Sequence, residues 1–287
     1  MPSPQISVLM PVWNGERFLA EALESILAQT FTDFELVAVD GGSTDRTSEI
    51  LSRYDDPRVR IVHAPPGLVP ALNFGIVQSR GKWIARQDAD DISLPRRLEK
   101  QWRALERHPN AVLSYTDVEL IGKEAGSIGR ARFPKTQALL ALKLCYQCAL
   151  VHSTAMFKKD AALAVGGYRM EEQHAEDYGL WGRLIERGDS LGLPEKLLQF
   201  RIHPVSASKR NADAMTEMAD KIAGEHGRRF MRLSAEEGER AHAILIAHGR
   251  CSWQDWSWFL RCCIPRLRWQ SAEMYAWLGL QTLKMFR

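Results

Sequence analysis

The sequence predicts an α/β fold in which helices flank a mainly parallel, Rossmann-like sheet, followed by a helical appendage. Through the first hundred residues, short β-branched runs alternate with segments that carry apolar residues at helical spacing. Strands that alternate with helices form right-handed βαβ units, which build parallel sheets covered on both faces. The chain has 287 residues, of which 45% are hydrophobic and 25% charged, so it is long enough to bury a sizeable core.

The predicted elements follow one another without long interruptions. Strands are expected at residues 6–12, 34–40, 58–64 and 82–88, and helices at residues 15–29, 43–54 and 67–79. A further helix is expected to begin near Pro95, and a later strand to include residues 196–200. Residues 1–210 are predicted to form the sheet domain, and residues 211–287 a helical C-terminal region with two polar helices joined near Ser234.

Composition and charge exclude several classes of function. The net charge is only +3, with 38 Lys and Arg residues among 35 Asp and Glu residues, which argues against nucleic-acid binding. Five cysteines without regular spacing favour a reducing compartment. The single C-x-x-C pair, Cys145 and Cys148, is expected to consist of core thiols, because no second pair completes a zinc site. No apolar stretch reaches the ~18 residues typical of a membrane span, so we expect a cytoplasmic protein.

Large or polar side chains stand at the ends of three predicted strands. In such sheets, ligands bind in the crevice outside the carboxyl ends of the strands. Side chains at these ends are therefore expected to face one crevice. They are Trp13 and Asn14 after the first strand, Asp40 at the second, and Asp88 and Asp90 at the fourth.

The segment DGGSTDRT at residues 40–47 admits two interpretations. Its glycines permit unusual backbone dihedral angles, and Ser43 or Thr44 could cap the next helix, so one interpretation is a tight turn with a helix cap. The turn does not explain why Asp40 stands at the strand end, where a contact with a ligand is the other interpretation.

Three carboxylates, those of Asp88, Asp90 and Asp91, occupy four consecutive positions behind the fourth strand. An exposed acidic loop is the ordinary explanation, since the dipole of the following helix favours nearby acids. Carboxylates at this spacing can also direct some oxygens to a divalent cation and others to a hydroxyl-rich ligand. A cation that keeps positions open for phosphates fits Mg²⁺ or Mn²⁺.

Five segments stand in one order over roughly residues 5–210: ISVLMPVWNGERFLAEALESILAQT, ELVAVDGGSTDRTSEI, GIVQSRGKWIARQDADDISLPRRLEKQ, AEDYGLWGRL and FRIHPVSAS. Together they resemble the motifs of family 2 glycosyltransferases, which have the GT-A fold. The resemblance implies inverting transfer of a sugar from a nucleotide diphosphate donor, most commonly a UDP-sugar, to an acceptor hydroxyl. The Q-x-x-R-W motif of processive members is absent, which implies single additions to a surface polysaccharide or lipopolysaccharide, on a glycan or lipid-linked glycan acceptor.

The resemblance also implies a role for each matching residue. Nucleotide binding falls to Pro11, Trp13, Asn14, Asp40, Arg86, Asp88 and Arg201. Arg201, Ser206, Ser208 and Lys209 are expected on a loop that closes over the diphosphate. Metal binding falls to Asp90, Asp91 and His203, and the general base is Asp177 with Glu176 as its neighbour. Gly41 departs from the pattern, since many members have a second Asp there.

Several alternatives stay open at the level of sequence. Arg86 could pair with the neighbouring acids, and Glu176 and Asp177 could merely complement a helix dipole. His152 is a candidate for the acceptor side of the site, with a packed histidine as its alternative. The alternative functions are a nucleotide-sugar pyrophosphorylase and a non-catalytic nucleotide-sugar-binding scaffold protein.

Residues 251–287 hold five of the nine tryptophans, and basic side chains outnumber acidic ones there. Tryptophan and arginine on short amphipathic helices suit the surface of an anionic membrane, so peripheral contact with the inner face of the membrane is one expectation. Packing of the same helices on the catalytic domain or on a partner subunit is the other.

Overall fold

Helices cover both faces of one mixed sheet in the computed structural model, which describes residues 3–203, 211–247 and 251–284. Within these residues the strands are β1 (Ile6–Val12), β2 (Phe34–Asp40), β3 (Val59–His63), β4 (Trp83–Arg86), β5 (Ile92–Ser93), β6 (Ala111–Ile121), β7 (Ser127–Ala131), β8 (Met156–Lys158) and β9 (Asp189–Arg201). The α-helices are α1 (Leu19–Leu27), α2 (Thr47–Ser52), α3 (Leu68–Gln78), α4 (Arg97–Glu106), α5 (Gln137–Lys143), α6 (Lys159–Ala164), α7 (Glu176–Leu184), α8 (Ala212–Met231), α9 (Ala235–Ile246), α10 (Trp253–Trp258) and α11 (Ala272–Lys284).

The strand order is β3-β2-β1-β4-β8-β6-β9-β5, with β7 paired to β6. β1 runs parallel to β2 and β4, and β2 runs parallel to β3, which confirms the predicted α/β fold and the parallel arrangement of the first four strands. β8 is antiparallel to both of its neighbours, β4 and β6. It is not predicted from the sequence, because a strand of three residues is too short to show a periodicity.

Side chains of β1 alternate between two hydrophobic layers. Leu9 packs in the layer that contains α3, α5, α7 and α8, whereas Val8 and Met10 pack in the layer formed with α1 and α4. Both layers exclude water from the sheet, since all three side chains are fully buried. The carboxyl ends of the parallel strands therefore remain as the open edge, and Val12 and Asp40 lie there side by side in register.

Helices α1 and α2 each begin four residues later than predicted, because the residues before them bind each other. The predicted cap of α2 by Ser43 or Thr44 is wrong. The hydroxyl of Ser43 instead accepts the backbone N–H of Asn14 over 3.0 Å. The side chain of Asp45 accepts the N–H of Thr47 over 2.9 Å and so serves the start of α2.

The C-terminal helices share the core of the sheet domain. As predicted, two helices meet at Ser234, which forms a capping box with Glu237 at the start of α9. Trp256 is only 2% exposed in the hydrophobic layer that also contains α7, and the Trp277 ring stacks on Tyr146 with centroids 5.9 Å apart. This part of the chain therefore packs on the sheet domain, while Trp253 stays half exposed. Among the described residues, no helix is both long and apolar enough to cross a membrane.

The contact between α7 and α8 depends on a missing side chain. A Cβ at Gly182 would lie 2.0 Å from Nε2 of the buried His226. The ring of His226 cannot retreat, because it stacks on Phe230 with centroids 5.1 Å apart and its Nδ1 lies 3.0 Å from the carbonyl oxygen of Leu144.

We expect Gly182→Ala to lower the free energy of unfolding by roughly 1–3 kcal/mol through overpacking. The matched control is Gly224→Ala in α8, where an added Cβ would meet no other described atom within 4 Å. That change should raise stability by roughly 0.5–1 kcal/mol through helix propensity. Urea unfolding of both variants measures the difference, and equal effects would contradict the packing argument.

Candidate active site

A cleft of about 580 Å³ opens at the carboxyl edge of the sheet. Its walls come from the strand ends, from the start of α7 and from the start of α8. The lining residues are Trp13, Leu68, Arg86, Asp88, Leu150, Val151, His152, Gln173, His174, Glu176, Asp177, Phe200, Asn211 and Met215. Another cavity, of about 440 Å³ beside Trp83 and Trp102, lies at the amino ends of the strands and contains none of the predicted site residues.

The three carboxylates predicted behind β4 do converge. Ligand atoms of Asp88, Asp90 and Asp91 all lie within 4.8 Å of one another. Burial and the charge of Asp88 raise the pKa of Asp90, and burial with the charge of Asp90 raises the pKa of Asp91 well above its usual value. Burial acts on Asp88 too, but the Arg86 guanidinium and other partners outweigh it and lower the pKa of Asp88. The cluster therefore carries a repulsion that a cation would relieve.

The donor atoms around this cluster fit a hard divalent cation. Oδ2 of Asp91 and Nδ1 of His203 are buried and have no hydrogen-bond partner in the described part of the chain. Nε2 of His203 lies 2.9 Å from Oδ2 of Asp90. Carboxylate oxygens and a neutral imidazole are ligands that would suit Mn²⁺. Asp90 and His203, which are 113 positions apart, are thus brought together as the resemblance implied.

The prediction that Arg201 lies on a closing loop is wrong. Arg201 is the last residue of β9, and its side chain is only 2% exposed. Its Nε donates to the carbonyl oxygen of Asp90 over 2.8 Å, its terminal nitrogens bind the carboxylate of Glu21 and the carbonyl oxygen of Lys123, and it lies over the ring of Phe18. Arg201 therefore supports the acidic cluster from behind. Three further residues predicted on the same loop, Ser206, Ser208 and Lys209, lie outside the described residues.

Asp40 and Asn14 are held within the turn at residues 40–47. Oδ1 of Asp40 accepts the N–H of Ser43 over 2.9 Å, and its Oδ2 accepts the hydroxyl of Ser48 over 3.0 Å. Oδ1 of Asn14, which has a φ of 51°, accepts the N–H of Thr44 over 2.8 Å. These contacts favour the tight-turn interpretation for Asp40, which is 2% exposed. Both side chains therefore shape this turn, and their nucleotide contacts stay predictions.

The remaining nucleotide-binding candidates divide into two kinds. Trp13 lines the cleft with a side chain that is 58% exposed, which is suitable for stacking on a ligand. Pro11 is buried inside β1, so its predicted contact with a nucleotide is not borne out by its place. Arg86 lines the cleft but binds Oδ1 of Asp88 over 2.6 Å, so the sequence-level alternative of an internal ion pair describes it correctly.

The predicted base, Asp177, lines the same cleft as Asp88. Glu176 and Asp177 are the first two residues of α7 and both line the cleft. Burial, together with the charge of Glu176, raises the pKa of Asp177 to about 7. A carboxyl group with such a pKa accepts a proton near neutral pH, as a general base must. Cys148, predicted to be a core thiol, is in fact an exposed residue whose Sγ lies 3.8 Å from Oδ2 of Asp177.

His152 is a packed histidine that also lines the cleft, and its place on the acceptor side stays a prediction. Its Nε2 lies 2.7 Å from the hydroxyl of Tyr168, and its ring meets the edge of Trp181 with centroids 5.6 Å apart. The same residue lines the cleft. Burial and the Arg86 charge hold the pKa of His152 well below its usual value, so the ring is neutral.

Four residues that lie at or beside the site are not singled out by the sequence reasoning. The Ser153 hydroxyl donates to Oδ2 of Asp88 over 2.5 Å, and Gln87 and Arg97 lie fully buried beside the acidic cluster. His174, with a φ of 79°, precedes the helix that carries the base. Only Gln87 and Arg97 leave a signal in the sequence, as polar residues beside an acidic motif at positions that the strand and helix patterns bury.

Comparisons with known proteins agree with this fold. A family model described as Glycosyl transferase family 2 matches residues 7–164, more than half of the chain. The O-antigen biosynthesis glycosyltransferase WbnJ of Escherichia coli is 35% identical over 214 residues, which are 71% of this chain and 82% of WbnJ. EpsE of Bacillus subtilis strain 168, named as a glycosyltransferase, is 36% identical over 207 residues, which are 69% of this chain and 73% of EpsE.

Solved structures share the fold at lower identity. The S. aureus TarS 1–349 structure in complex with UDP-GlcNAc aligns with a TM-score of 0.66 at 17% identity, over 89% of this chain and 75% of that one. The mannosyltransferase PcManGT from Pyrobaculum calidifontis, in complex with GDP-Man and Mn²⁺, aligns with a TM-score of 0.59 at 17% identity, over 100% of this chain and 88% of that one.

The fold is that of the GT-A glycosyltransferases. The chain belongs to glycosyl transferase family 2, and this membership decides for a glycosyltransferase over the pyrophosphorylase and the non-catalytic scaffold.

The raised pKa of Asp177 has a consequence for stability. The folded protein holds this proton more tightly than the unfolded chain, where the usual value is 3.8. Stability is therefore lost as the pH rises from about 4 to about 7, and Asp177→Asn should remove that loss. We expect the variant to be more stable than the wild type at pH 8, by roughly 1 kcal/mol, and about equally stable at pH 4.

Thermal unfolding at both pH values measures this effect. The control is Glu239→Gln, which removes an exposed carboxylate of α9 and should change stability little at either pH. A variant Asp177→Asn that is less stable than the wild type at pH 8 would contradict the burial argument.

Proposed function

We propose that this glycosyltransferase moves one sugar, with inversion, from a nucleotide-diphosphate sugar to an acceptor hydroxyl, and that it uses Mn²⁺ or Mg²⁺. One observation carries the proposal. Asp88 belongs both to the acidic cluster, with its unpartnered buried atoms, and to the lining of the cleft that holds Asp177. A cation site and a base of suitable pKa therefore border one space, large enough for a nucleotide sugar.

Each wall of the cleft has a separate task in this proposal. Asp90, Asp91 and His203 would hold the cation, with Asp91 helping to orient it. Asp88 would accept the ribose hydroxyls, and Trp13 would provide a ring face for the nucleobase. When bound, the cation neutralises negative charge that develops on the departing diphosphate. Arg86 keeps Asp88 ionised, so that its oxygens remain available as acceptors.

The base completes the reaction from the other side. Asp177 takes the proton of the acceptor hydroxyl, and the freed oxygen lone pair forms a bond to the anomeric carbon. The bond from that carbon to the phosphate oxygen breaks, and its electron pair leaves with the nucleotide diphosphate. Attack from the face opposite to the leaving group inverts the configuration. Glu176, whose Oε2 is buried without a hydrogen-bond partner among the described residues, stands beside the base and raises its pKa.

The donor is proposed to be a nucleotide sugar, with a UDP-sugar as the first candidate. Relatives in fold bind UDP-GlcNAc and GDP-Man, which supports the class of donor and leaves both bases as candidates. The acceptor is proposed to be a glycan or lipid-linked glycan of a surface polysaccharide or lipopolysaccharide. This part is supported by the relative WbnJ, which is named for O-antigen biosynthesis.

The central test is calorimetric titration of UDP, GDP and dTDP with and without Mn²⁺. We expect one nucleotide to bind tightly only when Mn²⁺ is present, and Asp90→Ala to weaken that binding at least about tenfold. The control is Asp189→Ala, which removes an exposed carboxylate at the distant start of β9. Binding that ignores both the metal and Asp90 would remove the proposed site.

The variant Asp177→Asn distinguishes a role in proton transfer from a role in nucleotide binding. It should bind the nucleotide about as the wild type does, while transfer falls by roughly 10²–10⁴. Transfer that persists above a few per cent would take Asp177 out of the role of base.

Location at the inner face of the membrane, through residues 251–287, completes the proposal. It is supported by the half-exposed Trp253 and by the basic excess of this segment, although much of the segment packs on the domain. We expect the protein to float with anionic liposomes at low salt but not with neutral ones. Failure to float with anionic liposomes would end this part of the proposal.

A further inference from the structure

We define the acidic loop as residues 88–91. The side chain of Gln87 forms hydrogen bonds with both ends of this loop and with residues that follow it. This side chain is fully buried. Nε2 donates to the carbonyl oxygen of Asp91 over 2.8 Å and to that of Asp88 over 3.1 Å. Oε1 accepts the hydroxyl of Ser93 over 2.7 Å and NH1 of Arg97 over 2.8 Å. One amide thus uses two donor and two acceptor positions to bind both ends of the acidic loop and the residues that follow it.

Arg97, the first residue of α4, completes this network from below. It is 0% exposed, and it donates to Ser93 Oγ over 2.7 Å, to the carbonyl oxygen of Arg86 over 2.6 Å and to Oε1 of Gln101 over 3.2 Å. All of these hydrogen-bond acceptors are neutral. Burial lowers the pKa of Arg97 to about 9, against the pull of Asp91.

A buried guanidinium without a directly bound carboxylate is expensive to keep. Its charge is offset by the acids of the cluster above it, Asp91 foremost. The same cluster tends to open, because its carboxylates repel one another across less than 4.8 Å. The charge of Arg97 therefore stabilises the acidic loop and the acids stabilise the charge of Arg97. The side chain of Gln87 forms hydrogen bonds with both.

We propose that Gln87 and Arg97 are positioning residues that hold the acidic loop in the conformation that brings its three carboxylates together at the proposed cation site. Neither side chain touches the carboxylate oxygens through the contacts described above. They act on the main chain of the loop and on its charge. This inference rests on the proposed metal-dependent function and adds residues that the metal-binding motif does not contain.

Measurements of stability and of Mn²⁺ affinity together distinguish a positioning role of Gln87 from a purely structural one. Loss of a buried amide lowers stability wherever it occurs, but it leaves the affinity of the folded protein for a metal unchanged. Loss of a group that orients metal ligands typically costs 10–100-fold in metal affinity. The decisive quantity is therefore Mn²⁺ affinity, measured well below the unfolding temperature.

The structure supplies a matched pair of variants, Gln87→Met and Gln29→Met. Gln29 is also a buried amide, only 4% exposed, and it binds near the start of the same helix. It donates to the carbonyl oxygens of Ser25 and Leu94 over 3.0 and 2.9 Å, and it accepts the N–H of Leu98 over 3.0 Å. Gln29 makes none of the described contacts with the acidic loop.

Mn²⁺ is titrated into each protein in the presence of UDP and, separately, GDP, with calorimetry as the readout. We expect Gln87→Met to bind Mn²⁺ at least about tenfold more weakly than the wild type, and Gln29→Met to stay within about twofold. Both variants should lose thermal stability. Equal Mn²⁺ affinities for the wild type and Gln87→Met would overturn the positioning role alone. Absence of Mn²⁺ binding by the wild type with either nucleotide would instead overturn the proposed function, and this inference with it.

Ser93→Ala keeps the test open if Gln87→Met fails to fold. This change removes one hydroxyl that both donates to Gln87 and accepts from Arg97. We expect its Mn²⁺ affinity to fall about threefold to tenfold. Arg97→Lys keeps the positive charge but loses the planar set of guanidinium donors, and its Mn²⁺ affinity should fall in the same range. Wild-type Mn²⁺ affinity in both variants would overturn the proposal.

Discussion

Mutual repulsion among three partly or fully buried carboxylates is the constraint on which the rest of the structure depends. Asp88, Asp90 and Asp91 lie within 4.8 Å of one another, where the surroundings screen charge poorly. Three almost fully buried arginines surround them: Arg86 at 1% exposure, Arg97 at 0% and Arg201 at 3%. Arg201 is also paired with Glu21, so the three arginines offset only part of the charge of the acids, and a repulsion between Asp90 and its neighbours remains.

The contacts of the same arginines explain why distant elements meet at this edge of the sheet. Arg201 connects the end of β9 to the acidic loop, to α1 through Glu21 and to the turn after β6 through the Lys123 carbonyl. Arg97 connects the start of α4 to the end of β4 through the carbonyl oxygen of Arg86. Each arginine therefore binds backbone as well as neutralising charge, and the open edge becomes a rigid rim.

Burial has a different effect on Asp177, which lines the same cleft. Around Asp177 no arginine is hydrogen-bonded to the carboxyl group in the described structure, and burial raises its pKa rather than being offset. Within one cleft and the cluster beside it, the pKa of Asp88 is held low, whereas burial and neighbouring acids raise the pKa values of Asp90, Asp91 and Asp177. Such a division assigns different tasks to chemically identical groups, and it costs stability where proton transfer requires it.

The sequence by itself determined the α/β fold, the bounds of β1 and β2 to the residue and the acidic segment behind β4, because apolar runs and turn residues act over a few neighbouring positions. The resemblance added the pair of Asp90 and His203. Only the tertiary structure decided that Asp40 is held by its turn, that Arg201 is buried behind the cluster, and that Gln87 connects the acidic loop to α4. Local pattern specifies backbone conformation and burial, whereas the hydrogen bonds of a polar side chain depend on residues that may be more than 100 positions away, as with Arg201 and Asp90.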